Sequence, residues 1–202
     1  SLIDRLYINN GKGQFKKTDQ ILPAGKFEST STVKAADFDS DGDQDLFVGI
    51  RMENFSYGYP MNGYLLQNNG KGQFTNISDE IAPTLKAIGL ITDAVWSDLD
   101  GDRDQDLVIV GEYMPITVLL NEKGKFTDAT VNLGLDKTNG WWNTVVAADI
   151  DGDGDEDLPP AERLFNRFTI CLDVIGHELA HGVTQHEANL VYAGQPGALN
   201  ES

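Results

Sequence analysis

Three runs of alternating aspartate constrain this chain more than any other feature. "ADFDSDGDQDL" (36–46), "SDLDGDRDQDL" (97–107) and "ADIDGDGDEDL" (148–158) align without gaps, and their first aspartates stand 61 and then 51 residues apart. Each follows a β-prone stretch, "STVKA", "TDAVW" or "NTVVA", and the first two lead into short apolar strands, "FVGI" and "VIVGEY". A second motif recurs: "LYINNGKGQF" (6–15), "LLQNNGKGQF" (65–74) and "VLLNEKGKF" (118–126). It reads as strand, Asn/Gly turn, strand, hence a hairpin. Each unit thus supplies roughly the four strands of a propeller blade, and repetition at this period predicts a β-propeller or a related array. The expected fold class is mainly β. Two units are complete, with parts at each end, whereas propellers close on about 4–8 blades. The expectation is therefore an incomplete β-propeller-type array of four-stranded blades with open edges. The first unit is longer because it carries an extra loop, "RMENFSYGYPMNG" (51–63).

The aspartate runs also carry the chemistry. Fifteen of the 32 acidic residues fall in them: Asp37, Asp39, Asp41, Asp43 and Asp45; Asp98, Asp100, Asp102, Asp104 and Asp106; Asp149, Asp151, Asp153, Asp155 and Asp157. They account for nearly all of the net charge of −17. Acidity this local points to cations as partners, and the lack of a basic face disfavours nucleic acid. In a tight loop, aspartates at positions 1, 3, 5 and 9 turn their carboxylates inward, while position 7 offers its backbone carbonyl. Oxygen donors at this density suit Ca2+ better than Mg2+, which keeps its own waters, or zinc, which prefers nitrogen and sulfur. Up to three calcium sites are expected. They are not EF-hands, because position 12, which should be a bidentate Glu, is Val48, Ile109 and Pro160. Glycine at position 6 eases the turn at Gly42 and Gly154; Arg103 in the second loop either strains it or supplies a counter-charge.

After Leu158 the pattern breaks at Pro159-Pro160, since proline lacks the N–H of a central strand. This sets a boundary at about residue 158, dividing 1–158 from 159–202. Residues 161–190 contain no proline, and Phe165, Phe168, Leu172, Ile175, Leu179 and Val183 recur at helical spacing, which predicts a C-terminal α-helical segment. All three histidines lie here. His177-Glu178-Leu179-Ala180-His181 is an H-E-x-x-H run. On a helix its two imidazoles share a face and can hold one zinc ion, with Glu178 placed as general base toward a metal-bound water. His186 has no assigned role. The single cysteine, Cys171, forms no internal disulfide, and no run of 18 apolar residues predicts a membrane span. The chain begins on Ser1 with no charged-then-apolar leader, which reads as an excised or processed segment.

Residues 1–158, with their D-x-D-x-D-G-D-x-D-L loops, "LFVG" and "LVIVG" strands and "NNGKGQF" hairpins, resemble the FG-GAP/VCBS repeats of extracellular bacterial proteins. The resemblance implies a calcium-stabilised β-propeller, extracellular or on the cell surface, used for adhesion or ligand display toward an extracellular protein or glycan. "GLDKTNGWWNTVVAADIDGDGDEDL" (134–158) fits the same pattern, with Trp141 and Trp142 expected to pack a blade rather than form a sugar platform. Residues 165–202, "LDVIGHELAHGVTQ" with "LVY" and "GALNES", resemble the thermolysin-like (M4) neutral metallopeptidases. That resemblance implies zinc ligands at His177, His181 and Glu201, 24 residues after His177. It also implies a tyrosine, Tyr192, that steadies the tetrahedral intermediate, Asn200 beside the third ligand, and Asp173 as a calcium-binding aspartate. The family also uses a downstream histidine and a helical lobe beyond the point reached by Ser202. The expectation is a calcium-binding repeat module carrying a truncated zinc-binding segment, with a secreted zinc metalloendopeptidase using Glu178 as the alternative.

Overall fold

A computed structural model describes residues 4–20, 22, 28–53 and 55–147. The third aspartate run and the whole of 159–202, with its expected helix, lie outside the described residues. Within them the fold is mainly β, in antiparallel sheets.

The first complete unit is a four-stranded meander: β3 (Glu28–Ala36), β4 (Asp45–Glu53), β5 (Gly63–Asn68) and β6 (Phe74–Asn76), paired in that order. The second repeats it with β7 (Leu90–Ser97), β8 (Asp106–Met114), β9 (Thr117–Glu122) and β10 (Lys125–Asp128). A separate hairpin, β1 (Tyr7–Asn9) with β2 (Phe15–Lys17), precedes them. All three Asn/Gly motifs form the expected hairpins. Each of the first two aspartate runs joins the first strand of its unit to the second. The long loop shrinks from both ends, since Arg51–Glu53 extend β4 and Gly63 opens β5. An element absent from the sequence reading follows β6: a single helical turn, α1 (Ser78–Ile81), then a 3-10 turn at Pro83–Leu85. Asn76 starts it by accepting from the Ser78 backbone N–H at 3.1 Å.

The expected strand at "NTVVA" does not form; β11 is the pair Gly140–Trp141, set against the end of β8. The ladders of the first two units explain this. There the stretch pairs with the strand following the aspartate loop, and in the third unit that position holds Pro159-Pro160. The upstream edge of β8 is already taken by β7 as far as Glu112.

Strand β8 shows why its sequence is uninterrupted Leu-Val-Ile-Val. Alternate side chains point to opposite faces. Leu107 and Ile109 enter a core shared with Phe38, Phe47 and Leu65 of the first unit and Ile91 and Ala94 of β7. Val108 and Val110 enter a second core with Val118, Ala129, Leu135 and Val145. Phe47 and Val48 divide in the same way, Val48 and Ile50 facing a third core with Leu22, Met61 and Leu66. Strands buried on both faces need apolar residues at every position, and each full burial contributes about 1.5–3 kcal/mol.

The two units are fastened by equivalent residues. A bulge in β3 lifts Ser31, whose hydroxyl sits 3.0 Å from the Gly49 carbonyl and 2.7 Å from the Ile91 carbonyl of the next unit. A bulge in β7 lifts Thr92, 61 positions on, whose hydroxyl sits 3.3 Å from Val110 and 2.7 Å from Trp142, the counterparts of Gly49 and Ile91. Next to this fastening lies Asp93. Its carboxylate accepts from Thr32 at 3.2 Å and Thr144 at 2.7 Å, its equivalents in the units on either side, and from the Val145 backbone N–H at 3.1 Å. Lys34 stands 2.8 Å away. Burial raises the Asp93 pKa, but Lys34, Thr144 and backbone N–H donors outweigh it and the carboxyl ends below its usual value. A depressed carboxylate stabilises the fold above its unfolded pKa and loses that contribution as pH falls through the folded one. Asp93→Ala removes the shared acceptor of Thr32, Thr144 and the Val145 N–H and is expected to cost about 2–3 kcal/mol at neutral pH. Urea denaturation should read that loss, and the variant should show a flatter decline below about pH 4 than the parent.

Candidate metal centre

The first two aspartate loops fold alike. In the first, Asp37 accepts from the Asp41 and Gly42 backbone N–H groups at 3.0 Å each, and Asp41 accepts from the Asp43 N–H at 2.9 Å. In the second, Asp98 accepts from the Gly101 and Arg103 N–H groups at 2.9 and 3.0 Å, and Asp102 from the Asp104 N–H at 2.8 Å. Aspartate forms such local turns readily. Position 6 takes left-handed backbone in both loops, φ 95° at Gly42 and 77° at Arg103. Glycine does so freely, whereas Arg103 is strained.

Each loop ends on a fully buried carboxylate. Asp45 accepts from the Phe38 N–H at 3.3 Å and the Asn68 N–H at 2.8 Å. Asp106 accepts from the Leu99 N–H at 2.7 Å and the Asn121 N–H at 2.7 Å. Burial pushes the Asp45 carboxyl up to about 6, with the Asn68 N–H opposing and Asp39 adding. Burial likewise pushes Asp106 up to about 7, with Asp100 and Asp102 adding to it. Asp100 is also raised, again first by burial.

The fold brings Asp37, Asp39 and Asp45 together with ligand oxygens within 4.8 Å of one another, and does the same with Asp98, Asp100 and Asp106. Asp41, Asp43, Asp102 and Asp104 stand outside these triads. Asp43 lies against Gly70, where a Cβ would meet its Oδ2 at 2.6 Å, and Asp104 accepts from the Lys123 N–H at 2.7 Å. Each triad is an all-oxygen donor set, and two charges at that separation repel by roughly 3 kcal/mol at an effective dielectric near 20. A divalent cation of calcium's preferences fits this set: hard oxygen donors, no nitrogen or sulfur, and a buried carboxylate whose ionised form is costly without a positive charge beside it.

Two residues missed from sequence complete the sites. Asn68 and Asn121 head their hairpins, and besides their backbone contacts each side chain donates to the loop carbonyl before the buried aspartate, Gln44 at 3.1 Å and Gln105 at 3.1 Å. The signal was the repeat itself: an asparagine recurs at the head of each hairpin motif, at Asn9, Asn68 and Asn121. Asp149, Asp151, Asp153, Asp155 and Asp157, together with His177, Glu178, His181, Tyr192 and Glu201, lie outside the described residues.

An antiparallel repeat in which an aspartate-rich loop joins the first two strands of each unit defines the class of this protein. A family model for FG-GAP-like repeats matches residues 4–48 and 98–158, and the chain belongs to that family. It is also similar to bacterial proteases. An extracellular metalloprotease of Pectobacterium carotovorum subsp. carotovorum is 47% identical over 83 residues, 41% of this chain and 22% of the relative. Protease PrtS of Photorhabdus sp. (strain Az29) is 45% identical over 83 residues, 41% and 20%. Neutral protease B of Bacillus subtilis (strain 168) is 32% identical over 148 residues, 72% and 26%. The chain thus spans about a quarter or less of the length of these relatives. Each aligned stretch is longer than 159–202, so the likeness also enters the region before residue 159. No helix among the described residues is long and apolar enough to cross a membrane.

Proposed function

We propose that residues 1–158 are a calcium-loaded, partial β-propeller module and that 159–202 are the zinc-helix segment of a thermolysin-like peptidase. The observation that carries the first part is the repeated triad: two loops, 61 residues apart in sequence, converge the same three aspartates on the same buried anchor. Bound there, calcium supplies the positive charge that lets the buried carboxylates stay ionised. Asp37, Asp39 and Asp45 hold the first ion, Asp98, Asp100 and Asp106 the second, and Asp149 through Asp157 a third. The fastening at Ser31, Thr92 and Asp93 supports blade-on-blade stacking, because equivalent residues meet at each junction. The module works outside the cell, as the name of its Pectobacterium protease relative favours.

Display of a ligand-binding face fits the end of the sheets away from the aspartate loops. There Arg51 and Tyr57 both donate to the buried Glu112. Tyr113 and Trp141, beside Glu112 on β8 and β11, are exposed and in edge contact at 5.2 Å, and Phe55 and Tyr59, two residues either side of Tyr57 in sequence, are exposed as well. Trp142 instead packs against the second core.

The second reading is a secreted zinc metalloendopeptidase, favoured by the relatives' names. In it His177, His181 and Glu201 would hold zinc, which would supply Lewis-acid chemistry toward a peptide carbonyl; Glu178 would be the general base toward water and Tyr192 would donate to the oxyanion. The "DGDG" at 151–154 also resembles the approach to the zinc helix in peptidases, which makes it the natural seam between the two lineages. Elemental analysis of the purified chain, with a peptide-cleavage assay beside it, tests both parts. The module reading expects two to three calcium ions per chain and no cleavage above background. Cleavage that needs stoichiometric zinc and disappears in Glu178→Gln replaces it with the peptidase. Absence of calcium at millimolar concentration removes the module.

A further inference from the structure

The first aspartate loop touches two hairpins, its own and the next unit's. From its own, Gln67 donates to Asp39 at 2.6 Å and the Asn68 N–H to Asp45. From the next, Gly124 approaches so closely that a Cβ would lie 3.3 Å from the Asp39 Cβ. There too the Asn121 side-chain amide donates to the Phe38 carbonyl at 2.7 Å. The Phe38 N–H in turn donates to Asp45. The same Asn121 serves the second loop, through its backbone N–H to Asp106 and its amide to Gln105. Its side-chain oxygen accepts from the Gly124 N–H at 2.8 Å. Asn121 is 1% exposed.

We propose that Asn121 couples the two calcium loops, so that filling one raises the affinity of the other. This rests on the calcium reading above. A continuous path runs from Asp45 through the backbone N–H and C=O of Phe38 and through Asn121 to Asp106, joining the buried anchors of both sites. Asn121 is buried with its amide and its carbonyl oxygen both engaged, so its side chain cannot shift for one loop without moving the other. A fully satisfied buried polar network of this kind holds its members to one geometry. An ion that fixes Asp106 therefore orders the backbone at 121, and through the Phe38 carbonyl the stretch of backbone whose N–H meets Asp45. The second ion then meets a loop already ordered, and coupling of this sort must be reciprocal. Direct repulsion between the two cations acts the other way, but salt screens it over a Debye length of about 8 Å. Asn68 offers the internal comparison: its amide donates to Gln44 and its oxygen accepts from Gly72, contacts within its own unit.

The test is a thermodynamic cycle read by calorimetric calcium titration of the whole chain, with Asp149→Asn and Asp151→Asn present throughout to remove the third run. Asp98→Asn with Asp100→Asn disables the second loop. With Asn121 in place, this should weaken calcium binding at the first loop roughly tenfold. With Asn121→Ser, which shortens the side chain while keeping a hydroxyl for the local turn, disabling the second loop should leave first-loop affinity unchanged. In Asn68→Ala the first loop should bind more weakly yet still respond to the second. If disabling the second loop has no effect in the presence of Asn121, the sites are independent and the coupling is wrong. An equal response with Asn121 and with Asn121→Ser overturns the assignment to this residue. These comparisons presuppose uptake, so a first loop that takes up no calcium in any background overturns the underlying metal reading instead.

Discussion

Removing calcium is expected to lower the melting temperature of this chain by roughly 15–30 °C. An ion held at a thousandfold excess over its dissociation constant stabilises a fold by about 4 kcal/mol. Two such sites supply about 8 kcal/mol, and each kcal/mol shifts a domain of this size by about 2–4 °C. Differential scanning fluorimetry in EGTA and in millimolar calcium reads the difference. The pH dependence separates calcium from a generic salt effect. Asp45 and Asp106 titrate at about 6 and about 7 in the ion-free fold, above the ordinary carboxyl value. A raised carboxyl pKa gives stability that is present below the unfolded value and lost as pH rises through the folded one. In EGTA the melting temperature should therefore fall between about pH 4 and pH 7. In calcium that fall should vanish, because the ion holds both groups ionised. Asp106→Asn should remove part of the fall in EGTA and most of the second site's response to calcium. A melting curve indifferent to EGTA at pH 7.5 would count against the loops as metal sites.

Phe47→Ala carries the second large effect. Phe47 has no exposed surface and sits in the core between the two units, with Phe38, Leu65, Ile91 and Leu107. Gly63 is small to make room for it, since a Cβ there would meet the ring at 2.9 Å. Truncating a buried phenylalanine costs about 3–5 kcal/mol. Because Phe38 belongs to both this core and the first aspartate loop, the variant should be folded in calcium and largely unfolded in EGTA. Circular dichroism in the two buffers distinguishes this from a uniform loss. A variant with the parent's melting temperature in EGTA would mean that the units do not share one core.

The repeats were legible because their constraints are local. Alternating aspartates, the Asn/Gly turns and the Leu-Val-Ile-Val run each specify a few residues of backbone, and β3 to β10 follow from them. What escaped reading depends on contacts between units. Asn121 carries no local signal of its burial, because its second partner, Phe38, is 83 residues away. Asp93 reads as one more acidic residue until Thr32 and Thr144 converge on it. The helical turn at Ser78–Ile81 is too short to show a period. The failed strand at "NTVVA" is the instructive case: β propensity was adequate, but a strand needs a neighbour to pair with. In the first two loops, aspartates at positions 1, 3 and 9 converge as the spacing implied. Those at positions 5 and 7 are committed to the turn and to the adjacent hairpin.

The hydroxyls of Ser31 and Thr92 have a consequence for how such chains lengthen. Each tie to the following unit is made by one side chain reaching a backbone carbonyl, an acceptor that every residue provides. A duplicated stretch of gene would arrive with its own tie and would find an acceptor on whatever follows it, with no matching substitution needed elsewhere. Growth by copying a single cassette is thereby open to this architecture, and unequal spacing, such as the insertion at 51–63, is tolerated as long as it stays clear of that tie.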